Sequence, residues 1–448
     1  MINGPLVGSL LRFVMPVIAT GILQVLYNAA DIVVVGQFAG PDSVAVGAIG
    51  STTALINLIV GLFMGLSTGI NVALAMSIGR KDDKGSNEVV HTSIALALVS
   101  GVFLLAVGVI GSYKFLEFMK TPDDVIASAD LYLKIYFLGM PANMLYNFGS
   151  AILRSKGETK KPFYYLMYSG LINVLLNLFF VAVCGMDVEG VAIATIVAQY
   201  FSAALVLICL IRQADCCKLE LKKIKIYWDK ATVILRYGIP AGLTSIMFNI
   251  SNVFIQSSLN SFDNTDMMTG SAASGSIEGI TYTAMNAFNL AAVTFVGQNV
   301  GAKNYKRIPK IFITCLAMVI VIGFVMGWGI YMMGTELLRL YAPNAHEAAI
   351  EYGLVRMSCI LLYYFIDGIL EVEIGVIRGM GYSVVPTIIT IVGVCVLRII
   401  WIGTVFEKIH TMKSLYMCYP ATWIVTVISM AIAYFILKHR MMKPKLSA

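Results

Sequence analysis

Long apolar stretches separated by short polar loops recur along the whole chain. A helix needs about 20 apolar residues to cross the hydrocarbon core of a bilayer. Runs of that kind predict helices near 9–38, 44–79, 88–112, 126–152, 161–185, 189–212, 230–261, 272–301, 307–333, 347–377, 383–406 and 414–438. Several exceed the bilayer thickness and are expected to tilt or to project into water. The stretch from Leu6 is too long for the core of a cleavable signal and carries Arg12 within it, so it reads as the first span. The pattern predicts an all-α integral membrane protein with about twelve transmembrane helices in two six-helix lobes. Residues 1–212 form the expected first lobe (helices 1–6), 213–229 a cytoplasmic linker, and 230–448 the second lobe (helices 7–12).

Composition supports this reading. The 448 residues are 58% apolar and 13% charged, about half the charged fraction of a soluble protein. The net charge of +7 does not indicate nucleic acid, because the basic residues sit in short loops between apolar runs. If both termini are cytoplasmic, twenty-four lysines and arginines fall on that side, among them Arg80, Lys81, Arg154, Lys156, Lys222, Lys223, Lys303, Arg307 and Arg378. Five fall opposite: Lys114, Lys120, Arg339, Lys408 and Lys413. That asymmetry is a positive-inside signal and places the chain in the cell inner (plasma) membrane, multi-pass. The basic linker, with Lys218, Lys222, Lys223 and Lys225, reads as a solvated segment in reach of anionic lipid.

The two halves match at a shift of 224 residues. Arg12 and Pro16 align with Arg236 and Pro240, Asn28 with Asn252, and Arg154, Gly157 and Pro162 with Arg378, Gly381 and Pro386. With a two-residue slip, Gly79-Arg80-Lys81 aligns with Gly301-Ala302-Lys303. Each copy has an even number of spans, so both enter the membrane in the same sense, related by a pseudo-two-fold axis along its normal. That symmetry suits alternating access. Pro16 and Pro240 lie in the first helix of each copy, where a missing N–H bends a helix, as a fixed kink or as a hinge.

Asp31 is the sharpest chemical feature, an acid among Asn-Ala-Ala and Ile-Val-Val-Val within the first span. An ionisable group at that depth is functional by default. Asn28 shares its helix face. Asn173 and Asn177, one turn apart in the fifth span, and Thr195 in the sixth add amide and hydroxyl oxygens. This set offers hard oxygen ligands for Na⁺, or a carboxylate that takes a proton; the bland reading of the amides is helix–helix glue. In the second copy Ile255 stands where Asp31 does in the first, with Asn252 and Gln256 nearby. Asp367 and Glu371 lie one turn apart in the tenth span and match Asn143 and Asn147, with Glu373 on another face. Arg398 is a candidate counter-ion for one of these acids, within a coupling site or a structural salt bridge. Glu278, near the outer end of the eighth span, is expected to face water.

Other motifs carry no chemistry. Gly65-Leu-Ser-Thr-Gly69 fits the GxSxG pattern of hydrolases, but that motif needs a strand–turn–helix and a histidine partner; with Gly61 it reads as a close-packing helix face. The four histidines are scattered. The eight cysteines lack CxxC spacing, so no metal site is expected beyond Na⁺ at Asp31. The chain lacks GxxxxGK[ST], so ATP is not expected to drive it, and no cofactor is implied. The many methionines and aromatics suit a plastic apolar pocket.

The chain resembles the MATE (multidrug and toxic compound extrusion) family. The resemblance rests on Pro16 with Tyr27-Asn28-Ala-Ala-Asp31, on Leu153-Arg154-Ser-Lys-Gly157-Glu-Thr-Lys-Lys-Pro162, on Val296-Gly297-Gln298-Asn299-Val-Gly301-Ala302, and on Ile377-Arg378-Gly-Met-Gly381-Tyr-Ser-Val-Val-Pro386. It implies twelve helices in two lobes and efflux of amphipathic, often cationic compounds against inward Na⁺ or H⁺. It further implies that Asp31, Asn173, Asn177 and Thr195 belong to a first-lobe cation site. Some members carry an acid where Asn177 stands, and some use a seventh-helix acid that this chain lacks. Asp367 resembles the tenth-helix acid of certain relatives. The expectation is a secondary antiporter for small organic substrates, a monomer in membrane lipid, and not an enzyme. A flippase for a lipid-linked substrate is the alternative, disfavoured because few cations lie within spans.

Overall fold

A computed structural model describes residues 1–38, 45–119, 121–342 and 345–442. Lys120, Lys443, Lys445 and the predicted start of the second helix at 44 lie outside them. Among the described residues there is no strand, and twelve helical spans run in order. The first three are Leu6–Phe38, Ala45–Gly79 and Asp83–Phe118. The fourth is a bent pair, Asp123–Leu138 and Met140–Lys156, and the fifth runs from Lys160–Asn177 into a π-helix at Leu178–Val183. Val188–Ile211, Trp228–Asn260, Thr265–Gly301 and Ile308–Met332 are the sixth to ninth. The tenth joins Glu347–Ile360 to Tyr364–Gly379 through a 3₁₀ turn at Leu361–Tyr363. In the eleventh, Val384–Thr390 and Leu397–Trp401 alternate with π-helices at Ile391–Val396 and Ile402–Phe406. Cys418–Met442 is the twelfth.

Nine of these helices are apolar and long enough to cross a bilayer, and the fourth joins them when its halves count as one span. The eighth falls short because it is polar, and the tenth because it is broken into helices of 14 and 16 residues and carries buried charges in the second. Their side chains are largely wrapped by neighbouring helices: 367, 368 and 370–379 are all buried in the tenth. A helix shielded from lipid need not be apolar. The fourth span, predicted as continuous over 126–152, instead bends by 49° at Gly139. Pro141 follows that break and has no N–H to carry the ladder across it.

Contacts divide the chain into two compact units, Ala19–Gly242 and Met1–Ile18 with Leu243–Ala448. The divisions fall inside the first and seventh spans, two residues after Pro16 and Pro240. They do not fall in the 213–229 segment, because that segment is tied to the third span. Asn87 donates to the carbonyls of Cys216 and Lys218 at 3.3 and 3.0 Å, the Glu220 N–H donates to His91 Nε2 at 3.1 Å, and Cys217 and Leu219 are buried. The solvated linker of the sequence reading is therefore a packed strap with exposed lysines.

The internal repeat is visible in backbone geometry. Gly157 and Gly381 end their helices at φ of 93° and 92°. The same pair of hydrogen bonds closes each: Gly157 and Glu158 to Arg154 and Leu153, Gly381 and Tyr382 to Arg378 and Ile377. Lys81 and Lys303 share the left-handed region at 57° and 56°. The breaks at Gly139 and at Leu361–Tyr363 are equivalent, as are the π-helices that begin at Leu178 and Ile402. Within the Ala19–Gly242 unit, the predicted glycine face is real. A Cβ on Gly65 would strike the Gly242 backbone, and one on Gly69 would strike Ile234 and Gly238.

Candidate functional site

The Ala19–Gly242 unit holds a cavity of about 410 Å³. The first span supplies Tyr27, Asn28 and Asp31; the fourth supplies Tyr132, Tyr136, Asn143, Tyr146 and Asn147; the fifth and sixth supply Asn173, Thr195 and Gln199. Helical spacing explains the convergence, since side chains four residues apart share a face. Among the described lining residues Asp31 is the one carboxylic acid, and none is a lysine or arginine.

A chain of hydrogen bonds links the first, fifth and sixth spans. Asn177 Nδ2 donates to Asp31 Oδ1 at 2.5 Å and lies 3.4 Å from Asn173 Oδ1. Asn173 Nδ2 donates to Thr195 Oγ1 at 3.4 Å, and that hydroxyl donates to the Val191 carbonyl at 2.9 Å. Asn177 is fully buried, and its Oδ1 has no hydrogen-bond partner among the described residues. An orphaned carbonyl beside a carboxylate is a ready acceptor for a cation or a protonated group. The π-helix begins at the residue after Asn177; such bulges re-aim side chains at functional sites. The structure thus brings Asp31, Asn173, Asn177 and Thr195 into one network, and Asn28 lines the same cavity.

The tyrosines and Gln199 were missed from sequence. Tyr132 and Tyr136 stack with ring centroids 5.9 Å apart. Tyr27 donates to the Met167 carbonyl at 3.2 Å, and its ring fills the space a Cβ on Gly170 would need. Their signal was available: Tyr132, Tyr136, Asn143 and Asn147 recur at helical spacing in the fourth span. Asn147 Nδ2 donates to Asn143 Oδ1 at 2.7 Å.

The other unit carries a different polar set. Asp367, Glu371 and Glu373 are 7%, 8% and 3% exposed, so all three acids are enclosed by protein. Asn289 Nδ2 donates to Glu371 Oε2 at 2.7 Å, whereas Asp367 Oδ2 and Glu373 Oε2 have no hydrogen-bond partner among the described residues. Arg398 makes no ion pair within 4 Å among the described residues. Its guanidinium instead stands 4.1 Å over the Tyr419 ring, with Ser251 and Asn252 each 3.4 Å away. The aromatic face and two oxygens hold the guanidinium, and its charge acts on the Asp367 carboxyl from beyond contact distance. Gln256 is exposed and bonds Asn260 at 2.9 Å, apart from this set.

Glu278 corrects another expectation. It does not face water: it is 6% exposed and grips Arg356 with two hydrogen bonds of 3.0 and 2.8 Å. Ser274 donates to it at 2.9 Å, and Arg356 also donates to Ser271 at 2.8 Å. Nothing in the sequence points to the pairing, because 78 residues separate Glu278 from Arg356.

Known proteins resemble this chain along most of its length. The MatE family model matches residues 16–179 and 240–402. The "Probable multidrug resistance protein YoeA" of Bacillus subtilis is 27% identical over 396 residues, covering 86% of this chain and 83% of that one. The "Probable multidrug resistance protein NorM" of Thermotoga maritima is 23% identical over 405 residues, covering 87% and 84%. Among solved structures, an outward-facing multidrug resistance MATE family transporter of the MOP superfamily superposes with a TM-score of 0.89 at 18% identity, covering 99% of this chain and 98% of that one. The chain therefore belongs to the MatE family, whose members are membrane transporters and not enzymes, and its twelve-helix, two-lobe architecture is that family's fold.

Proposed function

We propose that this transporter is a secondary active antiporter that exports small amphipathic, often cationic organic compounds in exchange for inward Na⁺ or H⁺. The carrying observation is the Asp31 carboxylate, hydrogen-bonded by Asn177 in a cavity whose other described polar groups are neutral. A carboxylate within a membrane helix is tolerated when a cation visits it. Asn173, Asn177, Thr195 and Asn28 add oxygens of the type that Na⁺ takes. The aromatic walls suit organic cations through ring faces. The multidrug names of the relatives support an efflux role. The flippase reading lacks support: no basic side chain lines this cavity among the described residues. In this reading both termini are cytoplasmic, the protein sits in the inner membrane as a monomer, and it needs no cofactor beyond the coupling ion.

Proteoliposomes test the proposal. With a panel of organic cations and each gradient imposed separately, Asp31→Asn is expected to abolish gradient-driven transport while leaving a monodisperse, folded protein. Full transport by that variant removes Asp31 from the mechanism. Collapsing Na⁺ and H⁺ gradients in turn identifies the coupling ion.

A further inference from the structure

The segment between the sixth and seventh spans places Asp215, Cys216 and Cys217 with one ligand atom from each within 4.8 Å of the others. The two sulfurs are 4.0 Å apart. Tetrahedral zinc with Zn–S bonds of about 2.3 Å holds two thiolate sulfurs about 3.8 Å apart, so this pair stands within a small side-chain adjustment of chelating geometry. We propose that Asp215, Cys216 and Cys217 form a binding site for a soft divalent cation of the zinc class, with water in the remaining position. Two thiolates and a carboxylate are the donor set such ions prefer over Mg²⁺ or Ca²⁺.

The local structure holds these ligands in place without a metal. The Cys217 N–H donates to Asp215 Oδ1 at 2.9 Å, which keeps the carboxylate beside the thiols. Asn87 fixes the Cys216 and Lys218 carbonyls, and the Leu219 N–H bonds the Leu210 carbonyl at 3.0 Å. Asp215 is exposed, Cys216 partly exposed and Cys217 buried, so an ion has an open side to enter and an enclosed floor. Burial pushes both thiols up from their ordinary range, which keeps them protonated and inert until a metal displaces the protons.

The competitor is Lys156, whose ammonium is ion-paired with Asp215. It need not be stranded when the cation takes the carboxylate. Glu158 Oε1 is 3.2 Å and Gln213 Oε1 2.8 Å from the same nitrogen. Binding therefore exchanges one partner of Lys156 for a tie across the strap that leads into the seventh span.

Titrating the reduced full-length protein with Cd²⁺, and following the thiolate-to-metal charge-transfer band, tests the site. The expected result is one equivalent bound per chain, lost in Cys216→Ser and in Cys217→Ser, and tightened in Lys156→Gln, where Asp215 is released. Size-exclusion profiles establish that the variants are folded. Retention of the equivalent by the Cys216→Ser/Cys217→Ser double variant overturns the proposal, as does the absence of a band in the wild type. If Lys156→Gln binds no more tightly, Asp215 is not a ligand.

Discussion

Asp31 and Glu278 are both acids in membrane helices, yet their surroundings assign them opposite tasks. Asp31 meets a neutral donor in a cavity with no basic side chain among its described lining residues, the surroundings that the proposed coupling role requires. Glu278 is gripped by the Arg356 guanidinium through two hydrogen bonds, with Ser274 on the same oxygen as one of them. A pair so fully satisfied is structural. Removing one partner leaves a buried uncompensated charge, a loss of about 3–5 kcal/mol in comparable sites. Glu278→Gln is therefore expected to lower the thermal unfolding temperature in detergent, and adding Arg356→Met is expected to restore much of it. Equal unfolding of the single variant and the wild type would show that the pair contributes nothing. Depth in the chain's hydropathy could not separate these two acids; their partners lie 146 and 78 residues away.

Where the second and seventh spans meet in the Ala19–Gly242 unit, small residues set the packing distance, as expected where lipid competes for apolar surface. Gly65 and Gly69 of the second span lie against Gly238 and Gly242 of the seventh, with backbones in contact. A side chain at Gly65 meets main chain, which cannot rotate away. Overpacking of flexible cores costs about 1–3 kcal/mol, and a clash with backbone belongs at or above the top of that range. Gly65→Leu is thus expected to cut the yield of folded protein and its unfolding temperature, while Gly61→Leu, four residues along the same motif, serves as the comparison. The glycine pattern was legible in sequence; its partner was not, because Gly238 and Gly242 belong to the other copy of the repeat.

For the whole molecule, the repeat extends from residue identities to backbone form. Equivalent glycines share φ, equivalent lysines share the left-handed conformation, and equivalent positions carry helix breaks and π-helices. The chemistry is not repeated: Asp31 faces Ile255 across the alignment, and Asn143 and Asn147 face Asp367 and Glu371. The two copies share a scaffold and differ in charge. The positive-inside distribution predicts that single cysteines at Lys81, Lys222 and Lys303, in a background lacking native thiols, are labelled by membrane-impermeant reagents from the cytoplasmic side alone. Cysteines at Lys114 and Lys408 are expected to react from the opposite side. Labelling of Lys222→Cys from outside intact cells would invert the topology.

The sequence by itself determined the helix number, the two-copy plan and the depth of Asp31, because each depends on periodicity and composition that one strand of text records. Tertiary structure decided which polar groups meet. It joined Asn177 to Asp31, gave Arg398 an aromatic face, hid Glu278 against Arg356, and fixed the strap at residues 216 and 218 to Asn87 of the third span. The physical reason is the lipid itself. It forces almost any spanning segment to be an apolar helix, which sequence reveals, but it leaves the pairing of rare polar groups to the rotation and packing of helices far apart in the chain.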